Sequence, residues 1–247
     1  MAEFGQTLLV VASAGVAAFV PSSPSSMANL SLLDSDTHTY LLAAWRAEQQ
    51  GDYIQAARYA RLVAPPEEIT FRVVFDEPSE ARSEQLSDIL EEAIGQWSGS
   101  GVRFVETDQP NAVLQISFRE RVRGRSGTVA GITRTHRSLT SEGVVTIRAE
   151  IEVSTRSPFG SALPEDAILK TLLHELGHFF GLKDSTDPFD IMGPVRLGRS
   201  NVVDLTEAQR QTVGFLSGEA WRLSTLAPTA TVDPRERKPR VFTFPSL

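Results

Sequence analysis

The chain has 247 residues, of which 41% are apolar and 22% charged, with a formal net charge of −7 and no cysteine. This composition is typical of a soluble globular protein that is long enough for one domain with extensions. The acidic balance argues against nucleic acid as a main partner. Without cysteine, the chain can form no disulfide, no thiolate metal site and no cysteine nucleophile.

The N-terminal segment, residues 1–28, has features of an export signal. Residues 8–20 form an apolar run of mostly small side chains, and Ser26, Met27 and Ala28 offer a small-x-small cleavage site. No lysine or arginine precedes the run, which is short for a membrane span. We therefore expect a secreted or extracytoplasmic protein. The alternatives are an uncleaved peripheral tether through residues 4–20 or a disordered start.

Residues 29–66 are predicted to form a small helical hairpin. Apolar side chains recur at helical spacing on both sides of a turn at Gly51 and Asp52. The pattern resembles a single tetratricopeptide-type unit, which cannot bury its own apolar face, and no second copy follows. The segment is therefore interpreted as a helical pro-segment or a packing appendage, with a partner-binding role as the alternative.

Residues 67–222 are predicted to form one domain of mixed helices and strands. The expected elements are a strand at 69–75, a helix at 83–97, strands at 102–105, 113–118, 128–135 and 144–153, a helix opened by Pro164, and a last helix at 205–216. The arginine-rich stretch at 119–127 is interpreted as a solvated loop, and residues 223–247 as an extended tail.

The most informative stretch reads His-Glu-Leu-Gly-His-Phe-Phe-Gly-Leu-Lys-Asp and begins at His174. His174 and His178 are four residues apart, so a helix places them on one face, where two neutral imidazoles can bind one Zn²⁺. Glu175 lies between them, placed to take a proton from a water that the metal activates. Gly181 can end the helix in a turn that lets the chain bring Asp184 to the metal as third ligand.

Together with Met192 and Pro194, these residues resemble the metzincin metalloproteases, and among them a matrixin-like catalytic domain. The metzincin motif His-Glu-x-x-His-x-x-Gly-x-x-His is followed by a turn that carries a methionine under the metal. The chain matches this pattern at His174, Glu175, His178, Gly181 and Met192. Pro194 fits the matrixin stretch that helps wall the pocket for the substrate side chain after the cut.

The resemblance implies an α+β fold of the metzincin type. Its parts would be a twisted, mixed five-stranded sheet and an active-site helix that carries the motif, here preceded by the helical hairpin. It also implies one catalytic zinc ion, hydrolysis of protein or peptide substrates, and a monomer. Calcium is common in matrixins, but acidic residues alone do not establish a calcium site in this chain.

The sequence departs from the matrixin pattern at Asp184, where a histidine is usual. Aspartate is an accepted zinc ligand, and a similar His-His-Asp set occurs in the snapalysin-like bacterial proteases. Its negative charge should make the zinc a weaker Lewis acid. Alternatively, Asp184 braces the turn and another carboxylate, such as Glu207, completes the site. His38 and His136 are interpreted as loop or surface residues.

Three functions remain open from the sequence. The first is a zinc endopeptidase with Glu175 as general base, and the second is a peptidase of narrow specificity that matures one partner. The third is a non-catalytic binding protein on a metzincin scaffold, with the helical hairpin as its interaction surface. The intact Glu175 argues against the third function, because a protein without catalysis has no need of that base.

The absence of cysteine also excludes the matrixin form of latency, in which a propeptide cysteine caps the zinc.

Overall fold

The computed structural model describes residues 28–63, 68–76, 79–125, 127–140, 144–196 and 199–227, and the backbone of 241–243. The helices of this part are α1 (Ser35–Gln49), α2 (Tyr53–Val63), α3 (Glu80–Ser98), α4 (Glu165–Phe179) and α5 (Glu207–Ser224). Its strands are β1 (Glu68–Phe75), β2 (Arg103–Glu106), β3 (Leu114–Arg119), β4 (Val122–Gly124), β5 (Gly127–Val129), β6 (Gly131–Thr140), β7 (Val145–Ser154) and β8 (Val241–Thr243). None of these described helices is both long and apolar enough to cross a membrane. The predicted export signal and most of the predicted tail lie outside the described residues.

Six strands form the main sheet, in the order β2-β1-β3-β7-β6-β8. Strands β1, β2, β3 and β7 run parallel, and β6 runs antiparallel to β7. The crossover from β1 to β2 is made by α3, because two parallel neighbours need a long connection. The predicted α+β fold with a mixed five-stranded sheet is confirmed. The short strand β8 is an addition that pairs with β6 at residues 138–140.

The main hydrophobic core lies between the sheet and helices α3 and α4. The central strand β3 buries Leu114, Ile116 and Phe118 completely. Trp97 of α3 is also fully buried, and its indole N–H donates to the carbonyl oxygen of Leu173 in α4 at 3.3 Å. Each fully buried large apolar side chain stabilises the fold by about 1.5–3 kcal/mol. This packing therefore holds α4 firmly against the sheet.

Helices α1 and α2 form the predicted helical hairpin, which packs against the rest of the chain. Leu33, Leu41 and Val63 belong to the same buried core as the sheet and α4. On the surface, Arg222 of α5 donates two hydrogen bonds to the carboxylate of Glu48 in α1, at 2.6 and 2.9 Å. The apolar face that one hairpin cannot bury alone is therefore covered by the domain that follows it.

The prediction of a loop at 119–127 is wrong in part, because β4 and β5 form a short antiparallel hairpin there. Val122 pairs with Val129 and is buried. The hydroxyl of Ser154 accepts from the Val122 N–H at 2.9 Å and donates to the Val129 carbonyl at 2.8 Å. These distant contacts, rather than a local pattern, order the stretch. The strand predicted at 128–135 is accordingly divided between β5 and β6.

The last helix is longer than the sequence indicates. It was expected at 205–216, whereas α5 begins after Thr206 with a capping box and ends at Ser224. Its final turns are stabilised by the helical hairpin, since Leu223 is buried against Ala44 and Ala60. The tail predicted from residue 223 onwards therefore starts inside the end of this helix.

Candidate metal centre and catalytic site

Helix α4 carries the motif and is buried along most of its length. It begins after Pro164, with Glu165 and Asp166 in its first turn, where acidic side chains interact favourably with the positive end of the helix dipole. Beyond the helix, Gly181 has φ of +85°, a backbone conformation that other residues rarely adopt. The chain therefore turns sharply here and returns toward the face that carries His174 and His178.

Three side-chain atoms converge on this face. Nε2 of His174 lies 3.3 Å from Oδ1 of Asp184, and Nε2 of His178 lies 3.2 Å from the same oxygen. Such a group could hold a metal ion, since its ligand atoms all lie within 4.8 Å of one another. Two ligands bound to one tetrahedral zinc ion at 2.0–2.1 Å are about 3.3 Å apart. The observed spacing therefore fits a zinc site.

The hydrogen bonds of the two imidazoles define which ring nitrogen faces the site. Nδ1 of His174 lies 3.1 Å from the Ile191 carbonyl oxygen, and Nδ1 of His178 lies 2.9 Å from that of Leu182. Because a carbonyl oxygen only accepts, each Nδ1 carries the hydrogen and each Nε2 presents a lone pair. Burial and the neighbouring His178 lower the pKa of His174, which favours the neutral ring.

The chemistry of these three ligand atoms favours a bound cation. Two imidazole lone pairs and the carboxylate of Asp184 are all acceptors, and they face one another at hydrogen-bonding distances. Such atoms repel unless a positive charge lies between them. The side chain of Asp184 is 78% exposed, so solvent reaches the group from that side.

Glu175 lies beside this group and is only 5% exposed. Its Oε2 accepts a hydrogen bond from the Thr133 hydroxyl of β6 at 2.7 Å. Burial raises the pKa of the Glu175 carboxyl above its ordinary value, and the hydrogen bond from Thr133 opposes that rise. Its other oxygen, Oε1, occupies space that a side chain at Gly131 would need, because a Cβ atom there would lie 2.8 Å from it.

An open cleft of about 630 Å³ lies in front of these groups. It is lined by Ala130, just before β6, and by residues of β6, α4 and the segment that follows α4: Gly131, Thr171, His174, Glu175, Asp184, Ser185, Thr186, Met192, Gly193, Pro194 and Val195. Pro194 is exposed on this wall. Met192 is buried and packs against Gly177, since a Cβ atom at Gly177 would lie 2.4 Å from its sulfur. Met192 therefore packs against α4 at the wall of the cleft, and the converging ligand group does not include it.

The other candidates from the sequence lie elsewhere. Glu207 is exposed at the start of α5, where its carboxylate accepts from Arg210 at 3.3 Å and from Gln211 at 2.8 Å. His136 is exposed on β6, and His38 is half-buried on α1. The structure therefore brings Asp184, and not Glu207, to the two histidines.

Two residues near the site were missed by the sequence analysis. Thr133 bonds Glu175 only because of the way β6 lies across α4, and no local pattern shows this contact. Lys170 is fully buried, and its Nζ donates to the carbonyl oxygens of Pro188 at 3.2 Å and Asp190 at 3.0 Å. The one available signal for Lys170 was a charged residue inside an apolar stretch of the motif helix.

Comparison with known families agrees with this geometry. The matrixin family model matches residues 64–216, which is more than half of the chain and includes the three converging side chains and Glu175. A search of curated proteins gave no significant match. Matrixins are zinc metalloproteases, so the family implies a catalytic zinc and protein or peptide substrates. From β1 through most of α5, this chain belongs to the matrixin family.

Proposed function

We propose that the protein is a zinc-dependent endopeptidase in which His174, His178 and Asp184 bind the metal and Glu175 is the general base. The observation that carries the proposal is the convergence of three acceptor atoms, at 3.2 and 3.3 Å, beside a buried carboxylate at the wall of an open cleft. When bound, zinc supplies Lewis acidity toward the peptide carbonyl and acidifies water, to a degree that the charge of Asp184 reduces.

The residues of the chain move and hold the proton in this mechanism. Glu175 takes a proton from the attacking water and passes it to the leaving amine. Burial favours the protonated form of Glu175, so its carboxyl can hold that proton between the two transfers. The Thr133 hydroxyl holds one carboxylate oxygen in place, which leaves the other turned toward Gly131 and the cleft.

The substrate would lie extended along the edge of β6. Within the described residues, this edge pairs with β8 only at 138–140, so the backbone of 131–137 has no strand partner on that side. Gly131 belongs both to this free edge and to the wall of the cleft. An extended peptide can add a strand at such an edge, with its main chain held by hydrogen bonds. Pro194 and Val195 would then wall the pocket for the side chain after the cut.

The proposal is tested by measuring metal content together with cleavage of a peptide library by the full-length protein. We expect one zinc per chain and peptide cleavage that stops when a chelator removes the metal and returns when zinc is restored. Cleavage of many peptides indicates an endopeptidase of broad specificity, and cleavage of very few indicates the alternative of narrow specificity. Zinc binding without cleavage of any peptide would instead favour the non-catalytic binding protein.

The role of Glu175 is tested by Glu175→Ala. We expect this variant to retain one zinc per chain and to lose about 10²–10⁴-fold in cleavage rate, because it lacks the group that moves the proton. Glu150→Ala, at an exposed glutamate of β7, is the matched control and should cleave at the wild-type rate. A Glu175→Ala variant as active as the wild type would remove Glu175 from the mechanism.

We also propose that the protein is exported and that cleavage after Ala28 leaves Asn29 at the N-terminus. The Asn29 N–H donates to the Thr212 hydroxyl of α5 at 3.1 Å, so the chain from Asn29 onwards is attached to the domain. N-terminal sequencing of the protein from the extracytoplasmic fraction tests this proposal. Recovery of the intact N-terminus in the membrane fraction would favour the peripheral tether.

A further inference from the structure

The segment before α1 pairs with the chain between the second histidine and Asp184. Leu33 and Leu182 form an antiparallel bridge. The Asp34 N–H donates to the Gly181 carbonyl oxygen at 2.8 Å, and the Lys183 N–H donates to the Leu32 carbonyl oxygen at 2.9 Å. The helical hairpin therefore forms hydrogen bonds directly to the turn that precedes the third ligand.

The start of α1 is itself firmly held against this turn. The carboxylate of Asp34 caps α1, accepting from the Thr37 N–H at 2.7 Å and from the Thr37 hydroxyl at 3.1 Å. Thr37 is fully buried, and a Cβ atom at Gly181 would lie 2.4 Å from its hydroxyl oxygen and 2.8 Å from its methyl group. The helix start thus leaves no space for any residue but glycine at this point of the turn.

The residues on either side of Asp184 each form a backbone hydrogen bond, and their partners belong to different segments of the chain. On one side, the Lys183 N–H bonds Leu32 of the N-terminal segment. On the other side, the Ser185 N–H donates to the Met192 carbonyl oxygen at 2.8 Å. The side chain of Asp184 is largely exposed, so the fold holds this residue mainly through the backbone hydrogen bonds of its two neighbours.

The helical hairpin does not cover the cleft. The residues that line the cleft come from 130 onwards, and none comes from the described residues 28–63. The hairpin instead shares the main core through Leu33, Leu41 and Val63. An inhibitory pro-segment would be expected to block the site, whereas the described residues of this segment line no part of the cleft and bond the turn before Asp184.

We infer that residues 32–37 position the third metal ligand, and that the helical hairpin is a permanent part of the working enzyme rather than a pro-segment to be removed. This inference rests on the proposed metal ligands. Asp34 and Thr37 are positioning residues, because they act on the metal through Gly181 and Asp184 and do not touch it. Residues outside the immediate ligands commonly change metal affinity by about 10–100-fold when they are mutated.

The test is the zinc affinity of the full-length protein with Asp34→Pro and, as matched control, Asp34→Ala. Both variants lose the side-chain cap, but only proline also removes the N–H that bonds Gly181. Asp34 has φ of −66° and Leu33 is extended, so proline fits the backbone at this position. We expect Asp34→Pro to bind zinc about tenfold more weakly than Asp34→Ala in competition with a chelator.

Repeating the pair in an Asp184→Ala background separates positioning from general destabilisation. Without the third ligand there is nothing left to position, so Asp34→Pro and Asp34→Ala should then bind zinc equally. A tenfold difference that persists in this background would overturn the inference, and so would equal affinities in the presence of Asp184. The result does not depend on peptidase activity, so a protein that binds zinc but cleaves nothing would refute the proposed function alone.

A second pair of variants serves if Asp34→Pro does not fold, as judged by circular dichroism of the metal-free protein. Thr37→Val keeps both side-chain branches against Gly181, and Thr37→Ala removes them, while both lack the hydroxyl. We expect weaker zinc binding for Thr37→Ala than for Thr37→Val, and again only when Asp184 is present. Equal zinc binding by the two variants would contradict the positioning role of Thr37.

Discussion

The two halves of α4 each bury a charged residue, but for different purposes. Lys170 in the first half is fully buried, and its ammonium group donates to two backbone carbonyls of the segment that precedes Met192. Glu175 in the second half is also buried, but one of its oxygens bonds Thr133 while the residue lines the cleft. The ammonium group of Lys170 is bonded to backbone atoms of the fold, whereas Glu175 has one carboxylate oxygen that faces the cleft.

The pKa shifts of the two residues have the same physical cause. Burial lowers the pKa of Lys170 and raises the pKa of Glu175, because in each case it disfavours the charged form. The partners of Lys170 are backbone carbonyls, which do not offset the whole effect of burial on its pKa. The lowered pKa of Lys170 is therefore a consequence of the contacts that hold the segment before Met192 in place. For Glu175 a raised pKa suits the proposed general base, which would accept a proton and then release it. Burial of a charge therefore does not identify a catalytic residue until its partners are known.

The largest effect on stability should come from Lys170→Met. This substitution keeps most of the side-chain volume but leaves the Pro188 carbonyl without its Lys170 donor, whereas the Asp190 carbonyl retains the Gly193 N–H at 3.0 Å. We expect the free energy of unfolding to fall by about 1–3 kcal/mol, the cost of leaving one polar group without its partner. Denaturant unfolding measures this change in the free energy of unfolding. Lys183→Met, at an exposed lysine, is the control. Equal stability of the two variants would show that the carbonyls do not need Lys170.

The next effect should be on activity, through Gly131→Ala. A Cβ atom at this position would lie 2.6 Å from the Thr171 methyl group and 2.8 Å from Cγ and Oε1 of Glu175. We expect Glu175 to be displaced, and kcat/KM to fall about 10–100-fold with unchanged zinc content, because small misplacements of a catalytic group are costly. Thr171→Ser, which removes the methyl group alone, is the control and should stay near the wild-type rate. Wild-type kcat/KM in Gly131→Ala would mean that the cleft can accommodate the added methyl group.

The smallest effect concerns the pH dependence of stability in the metal-free protein. Because the pKa of Glu175 is raised by folding, its contribution to stability is present at acidic pH and is lost as pH rises through the raised pKa. Glu175→Gln removes this loss of stability, because a glutamine side chain does not ionise. The variant should therefore gain stability relative to the wild type as pH rises from about 4 to 7, as measured by thermal unfolding in chelator. A constant difference across this range would contradict the shift.

The sequence allowed the converging residues to be predicted because they depend on local patterns, and the resemblance of their motif to metzincins implied the fold class. The spacing of His174 and His178 is a property of one helix, and Gly181 marks the turn that follows. The contact of Thr133 with Glu175 could not be predicted, since it depends on how β6 crosses α4. The same holds for Val122, whose strand pairing within an arginine-rich stretch depends on the distant Ser154.

The bridge between Leu33 and Leu182 joins the beginning of the described chain to its active-site turn. Leu182 is added to the chain long after Leu33, so this contact cannot form until synthesis has passed Leu182. During synthesis, the two histidines can lie close together on their helix before Asp184 has been brought into place. If these residues bind zinc as proposed, full metal affinity is reached only once the domain is complete, which would protect a newly made chain, and its neighbours, from premature cleavage.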